Sequence, residues 1–544
     1  MILNEAGLKE KQQWIEKGYA LPEFDREQVK AATAEAPVWL HFGAGNIFRA
    51  FLANAAQKLL NSGDLKTGIV VAEGYDYEIV EKMNRPHDDY SILVTLKADG
   101  SIEKTVIGSI TESCILDSGR PAEFARLKTI FAAPSLQMTT FTITEKGYSL
   151  ENSRGERFPE VAADMAAGPD QPQSYMGKVA GLLHHRFCRG AHPLAMVSMD
   201  NCSHNGDKLY AAIHAFAQAW EQAGLAKPGF LQYVEDKKKV SFPWTMIDKI
   251  TPRPDASVEE ILKADGILEL APVTTGKKTY VAPFVNAEEC EYLVIEDTFP
   301  AGRPPLEKAG FFFTDAATVD KVERMKVCTC LNPLHTALAV FGCLLGYQKI
   351  SDEMKDEDLV RLVERIGYRE GLPVVVHPGI LDPKEFIDTV LKVRVPNPFM
   401  PDTPQRIATD TSQKLAIRFG ETIKNYQKQG LPLADLQAIP LVFAGWLRYL
   451  QGVDDQGKSF ELSPDPLLDK VCPYVKDLTA ETELLPALRP LLEDEKVFGV
   501  NLAAVGMAET VCRYLQEMLT GPGAVRRSLQ KYGKEWQHAE RGKR

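Results

Sequence analysis

The densest run of chemically capable side chains is VERMKVCTCLNPLHTALAVFGCLLGY, residues 322–347. Glu323, Lys326, Asn332 and His335 follow one another closely there, ahead of an apolar helical pattern. Exchanging a hydride with a secondary alcohol without a metal needs a base for the hydroxyl proton, polar donors for the developing alkoxide, and a hydride carrier. Lys326 suits the base if burial brings its pKa toward ~7–8. Asn201, Asn332 and His335 suit the oxygen. The same spacing also has plain structural readings. Glu323 and Lys326 form an i,i+3 ion pair. Asn332 is a helix N-cap with Pro333 at the first helical position. His335 then lies in that first turn, beside Asn332. No His-Glu-x-x-His or paired Cys-x-x-Cys pattern offers a zinc site, and Cys328-x-Cys330 reads as buried thiols, so no metal is expected.

The carrier needs a binding element, and APVWLHFGAGNIFRAFLANAAQKLLNSG has the order strand, glycine turn, helix. Val38–Phe42 is the strand, and Asn46–Leu60 carries Ile47, Phe51, Ala55 and Leu59 at helical spacing. Gly43 permits the tight turn, and Gly45 lets the backbone approach a pyrophosphate drawn to the helix N-terminus through Asn46, Ile47 and Phe48. Phe48 occupies the place of the usual third glycine. The next strand ends at Glu73, completing a βαβ unit. Glu73, with Asp76 as fallback, is the expected partner of the adenosine ribose hydroxyls. Its charge would repel a 2′-phosphate, which favours NAD over NADP. Two further strands, Met138–Ile143 and Leu194–Val197, end at Thr144 and at Asp200-Asn201, and strand ends are where ligands sit in open α/β sheets.

These elements require an α/β Rossmann-type N-terminal domain and a mostly α-helical C-terminal domain. The Pro- and Gly-rich FPAGRPPLEKAG marks the connection, giving expected domains of residues 1–302 and 303–544. Leu359–Ile366, Leu441–Leu450 and Val500–Leu519 read as helices, and KYGKEWQHAERGKR as a frayed or surface tail. A length of 544 residues suits two large cores. The net charge of −11 argues against nucleic acid and anionic membrane surfaces as partners. Nine scattered cysteines fit reduced thiols in the cytoplasm. The N-terminal stretch lacks a basic-then-apolar secretory pattern, and no apolar run reaches the ~18–20 residues of a membrane span; the best candidate, Thr336–Tyr347, reads as a buried helix.

HFGAGNIFRAF, TITEKGY, SMDNCSHNG, SFPWTMIDKITP, the Lys-to-His block, and VRVPNPF followed by DTSQK occur here in one order. Together they resemble the long-chain mannitol dehydrogenase family over nearly the whole chain. The resemblance implies reversible, metal-independent oxidation of a secondary alcohol with NAD as cofactor and a small sugar acid or polyol as substrate. It places the family's catalytic lysine on Lys326 with Glu323 before it, its oxygen-binding asparagines on Asn201 and Asn332, and its histidine on His335. Asp248 and Arg394 take substrate-binding positions, and Glu323 is a proton relay. The step from Lys326 to Asn332 is six residues, one more than the family pattern, a surplus for a helix junction or a π-bulge to absorb. Trp244 stands where mannitol-specific members tend to have asparagine. The NPLHTALAVFGCLLGY and SFPWTMIDKITPRP wording resembles the branch acting on D-fructuronate and D-mannonate, with mannitol, arabinitol or altronate as alternatives. A uronate needs a cation for its carboxylate, and Arg394 is preferred over Lys414, Lys249 and Arg406. A catalytically silent NAD-binding sensor is the alternative of another class.

Overall fold

The computed structural model describes residues 1–541, and it divides into two compact units. The first comprises Met1–Lys97 and Ser101–Asp320; the second comprises Ala98–Gly100 and the chain from Lys321 onward. In the first unit, six strands form one parallel sheet: β1 (Trp39–Phe42), β2 (Ile69–Glu73), β3 (Ile110–Ile115), β4 (Met138–Phe141), β5 (Leu194–Ser198) and β6 (Val240–Ser241). Their order is β3-β2-β1-β4-β5-β6, the doubly wound Rossmann arrangement. The strands are apolar on both sides, as a covered parallel sheet demands. Trp39, Ile69, Val71 and Met138 enter one core, while Leu40, Phe42, Val70 and Phe141 enter the other.

Helices close both faces. A five-residue π-turn, Phe48–Leu52, leads into α1 (Ala53–Asn61), followed along the chain by α2 (Pro121–Ala132), α3 (Tyr175–Cys188) and α4 (Asn205–Gln222). Strand order reverses between β1 and β4, so the crevice for a ligand opens beyond their carboxyl ends. Smaller sheets flank this core. One pairs Thr245–Asp248 with Tyr292–Glu296 and then with Phe312–Thr314. That last pairing explains why the unit ends at Asp320 and not at the expected 302/303 boundary. FPAGRPPLEKAG is internal to it, with Phe311 packed in the same core as Trp39.

The second unit is helical. α5 (Ala316–Met325), whose first five residues precede the unit boundary after Asp320, the π-turn Lys326–Cys330 and α6 (Asn332–Leu345) follow one another almost without a break. This joined run, Ala316–Leu345, is long and apolar enough by composition to cross a membrane, whereas each piece alone fell short in the sequence, and most of its apolar window is buried. α6 has apolar residues all round, the mark of a helix enclosed by its neighbours. These include α7 (Glu357–Glu364) and α8 (Ala438–Tyr449), and α8 in turn packs on α9 (Ala508–Met518). The helix expected from Val500 starts only at Ala508. Gly506 has φ +74°, and the amides of Met507 and Ala508 turn back to the Leu502 carbonyl. The expected tail is, up to Arg541, part of α10 (Ala524–Arg541), whose Tyr532 and Trp536 are buried; the tail's last three residues lie outside the described ones.

A buried carboxylate starts α8. Glu370 accepts the amides of Gln437, Ala438 and Ile439 at 2.8, 2.7 and 2.9 Å, and Arg365 donates to it at 3.0 Å. Those amides have no intrahelical partner, so Glu370 supplies what the helix cannot. Glu370→Ala strands three amides and the Arg365 guanidinium. It is expected to cost about 3–5 kcal/mol, measured as a lowered denaturant midpoint for the second unit's transition.

Candidate active site

In the nucleotide half, the turn after β1 is fixed by backbone geometry. Gly43 has φ +105°, and a Cβ there would stand 2.4 Å from the Thr142 carbonyl oxygen. Gly45 faces open space, with nothing within 4 Å of an added Cβ. Asn46 and Ile47 begin the helix, and the Asn46 side chain accepts from Arg49 at 2.9 Å. Phe48, in place of a third glycine, is buried and stacks on His41 at 4.1 Å. The open side of Gly45 and the unpaired amides of the helix start fit a dinucleotide pyrophosphate.

Glu73 ends β2 as expected, but its carboxylate is engaged by the protein. One oxygen accepts the Ala44 amide at 2.8 Å; the other accepts Tyr75 and Asp76 at 2.8 and 3.0 Å. Burial pushes its pKa up against the pull of these donors. It therefore ties the glycine turn to the loop after β2, and these three bonds leave a carboxylate acceptor site for a ribose hydroxyl. Asp76, the fallback, is buried and accepts the Thr275 hydroxyl at 2.6 Å.

Across the switch point, Thr144 is exposed with φ +65° and ψ 157°, a strained conformation for a β-branched residue costing about 1–3 kcal/mol. Asp200 holds it there. Its carboxylate accepts the amides of Ile143 and Thr144 at 3.0 and 2.9 Å and the Tyr148 hydroxyl at 2.5 Å. These bonds also end β4 at Phe141, short of the predicted Ile143. Asp200 thus fastens the loop that carries the exposed Asn201. The sequence marked it only as a strand end. Asp248 is buried at the end of its strand. Lys249 is buried against Glu291 at 2.9 Å and the Glu288 carbonyl at 2.8 Å, a structural pair that removes it from the carboxylate-binding candidates.

In the helical half, Lys326 is buried and opens the π-turn. The Leu331 amide donates to the Lys326 carbonyl at 3.1 Å, five residues back. The turn therefore holds one residue more than an α-turn, and the surplus before Asn332 lies in it. Glu323, half-buried, precedes Lys326 by one turn. Asn332 is the first residue of α6, with Leu331 as N-cap at φ −128°; this shifts the predicted cap by one residue.

His335 Nε2 lies 3.3 Å from Asp402 Oδ2. Burial first, then the fields of Arg418, Arg406, Arg394 and Lys414, hold its pKa down to about 3, so the ring is neutral at working pH. Arg406 ion-pairs with Asp402, so the charge of each is already met. Arg394 is buried at the end of the π-turn Val390–Arg394. Lys414 donates to the Thr409 carbonyl, and Arg418, in the π-turn Ala416–Gly420, donates to the Thr336 hydroxyl. Burial lowers the pKa of both, that of Arg418 to about 10. Among the described residues neither forms an ion pair. Arg418 escaped the sequence reading. Its one signal is a place four residues after Lys414 in DTSQKLAIRF. No group of three or more His, Cys, Asp or Glu side chains among the described residues is arranged to hold a metal.

With this geometry in hand, comparison with known proteins is direct. Residues 38–308 match the model of the mannitol dehydrogenase Rossmann domain, and residues 318–519 that of the mannitol dehydrogenase C-terminal domain. The chain is 50% identical over 535 residues to D-mannonate oxidoreductase of Thermotoga maritima, covering 97% of this chain and 98% of that protein. It is similar to the structure of Pseudomonas fluorescens mannitol 2-dehydrogenase in ternary complex with NAD and D-mannitol, with TM-score 0.67, 26% identity, and coverage of 98% of this chain and 100% of that one. D-sorbitol dehydrogenase in substrate-free form shares the fold, with TM-score 0.74 and 24% identity, covering 94% of this chain and 100% of that one.

The depressed His335 pKa has a thermodynamic consequence. The imidazole protonates near 6.5 when unfolded but only near 3 when folded, so the unfolded chain binds the extra proton between those values. Stability from this site is complete above the unfolded pKa and is lost as pH falls toward the folded one. The advantage of wild type over His335→Gln in denaturant melts is expected to shrink by ~1.4 kcal/mol per pH unit between about pH 6 and 4. A gap independent of pH would contradict this.

Proposed function

The chain belongs to the mannitol dehydrogenase family, and on that premise we propose that it interconverts D-fructuronate and D-mannonate with NADH and NAD. The observation that carries the substrate class is the pair Lys414 and Arg418. Both are partly buried, hydrogen-bond to neutral partners and act on His335; Lys414 also feels the carboxylates of Asp410 and Asp465, whereas burial alone acts on Arg418. Desolvated charge without a counter-ion is costly, and a substrate carboxylate would relieve that cost. A neutral polyol would not. The likeness to a D-mannonate oxidoreductase supports the same class. Arg394 and Asp248 each remain in the reading as substrate-binding residues.

NAD, when bound, supplies the hydride carrier that exchanges with the substrate's C5 carbon. The glycine turn, Asn46, Ile47, Phe48 and Thr144 hold and orient it, and Glu73 keeps the turn in shape. Lys326 donates the proton to the C5 oxygen on reduction and takes it back on oxidation. Asn201 and Asn332 donate to that oxygen as charge develops on it. His335, neutral and set by Asp402, orients a substrate hydroxyl without adding charge. Glu323 passes the proton toward solvent, a role its half-exposed side chain one turn earlier supports.

Lys326→Ala is expected to lower kcat by ~10²–10⁴-fold, the loss of an acid/base group; near-normal turnover would remove Lys326 from the mechanism. Arg418→Gln should raise KM for D-mannonate by about 10–100-fold, the loss of one charge-assisted hydrogen bond. A panel of D-mannonate, D-altronate, D-mannitol and D-arabinitol with NAD settles the class. Turnover of mannitol without mannonate would sink the uronate reading. NAD binding with no turnover of any would favour a silent sensor.

A further inference from the structure

Among the described residues several buried polar atoms have no hydrogen-bond partner, and one of them, on Tyr175, stands over the carboxyl end of the nucleotide sheet. Tyr175 is the first residue of α3, and its hydroxyl oxygen is buried with no hydrogen-bond partner. Its place is rigidly set. Ser174 caps the helix by accepting the Gly177 amide at 3.2 Å. Asp164 in turn accepts the amides of Gln173 and Ser174 at 2.8 and 2.7 Å and the Ser174 hydroxyl at 2.5 Å. The Tyr175 ring lies against Gly74, where an added Cβ would meet its Cε2 at 2.5 Å and Leu116 at 2.9 Å.

Gly74 follows β2 and Leu116 follows β3, so the ring covers the carboxyl ends of those two strands. This is the half of a doubly wound sheet that takes the adenosine side of a dinucleotide. The titratable groups whose fields act on the hydroxyl are Glu73, Asp200 and Tyr77. Glu73 and Asp200 are both occupied with backbone amides, and neither bonds to Tyr175. Burial and these two carboxylates keep the phenol protonated far beyond working pH, so it faces the strand ends as a donor. A buried donor left unpaired is costly and rare in a well-packed protein, which points to an acceptor that arrives with a ligand.

We propose that Tyr175 is a cofactor-binding residue whose hydroxyl donates a hydrogen bond to an oxygen of the ADP-ribose part of the nicotinamide cofactor. This rests on the NAD reading given above. Glu73 accepts and Tyr175 donates, so the two side chains would make different contacts at the end of β2.

The test is Tyr175→Phe, which removes one oxygen and keeps the ring on Gly74. NADH binding is followed by nicotinamide fluorescence, with ADP-ribose as competitor, and apo stability by thermal melting. The variant is expected to weaken NADH and ADP-ribose about tenfold alike, while apo Tm stays equal or rises, because the lost hydroxyl had no protein partner. Unchanged NADH affinity would overturn the proposal, as would a clear fall in apo Tm, which would reveal a partner within the protein. If wild type itself binds no NADH, the NAD reading fails first and takes this one with it; equal binding by both proteins removes Tyr175 alone.

Discussion

The position of Lys326 follows from the fact that α6 cannot move. Its residues from Pro333 to Leu344 are buried almost without exception, on every face of the helix. Sliding it by one residue would rotate its side chains by about 100° and shift them ~1.5 Å along the axis, turning His335 away from Asp402 and breaking a packed core. A surplus residue ahead of it must therefore be absorbed before the helix begins. The π-turn Lys326–Cys330 does this, closing with the bond from the Leu331 amide back to the Lys326 carbonyl. Arg394 and Arg418 lie on two further π-turns of the same unit. Three candidate site residues thus sit where an α-helix is locally widened, a feature that recurs at functional sites.

The nucleotide half solves a different problem, that of holding flexible strand-end loops in one arrangement. Glu73 draws Ala44, Tyr75 and Asp76 together, and Asp200 does the same for Ile143 and Thr144. Charge-assisted bonds to backbone amides are strong where water is excluded, and here they hold a strained Thr144 against its preference. Both carboxylates are thereby committed to the scaffold. Glu73, the acid at the end of β2, shapes the glycine turn through these bonds.

What the sequence made legible was local. Periodicity and glycine placement located β1, the turn and the helix after it, and apolar runs with polar residues at their ends located four of the six strands; β3 and β6 and the strand order were not read. The ordered motifs brought Lys326, Asn332 and His335 into one segment. Features decided by distant partners were not legible. Nothing near Val500 shows that Met507 and Ala508 turn back to Leu502, and nothing in KYGKEWQHAERGKR shows that Tyr532 and Trp536 find a core. The Phe312–Thr314 strand, which moves the unit boundary to Asp320, depends on a partner beginning twenty residues earlier, at Tyr292. Arg418 looked like any helix-surface cation until its bond to Thr336 and its burial were seen.

The charge pattern of the helical half is the point on which substrate class turns. His335 is neutral because it is buried and because cations surround it, and two of those cations, Lys414 and Arg418, form no ion pair among the described residues. The most direct measurement is a crystal structure of the protein with NAD and D-mannonate bound. The account predicts Lys326 Nζ within hydrogen-bond reach, about 3 Å, of the C5 oxygen, with the carboxylate bonded to Arg418 or Lys414. A carboxylate bound elsewhere, or Lys326 turned away from the reacting oxygen, would contradict it.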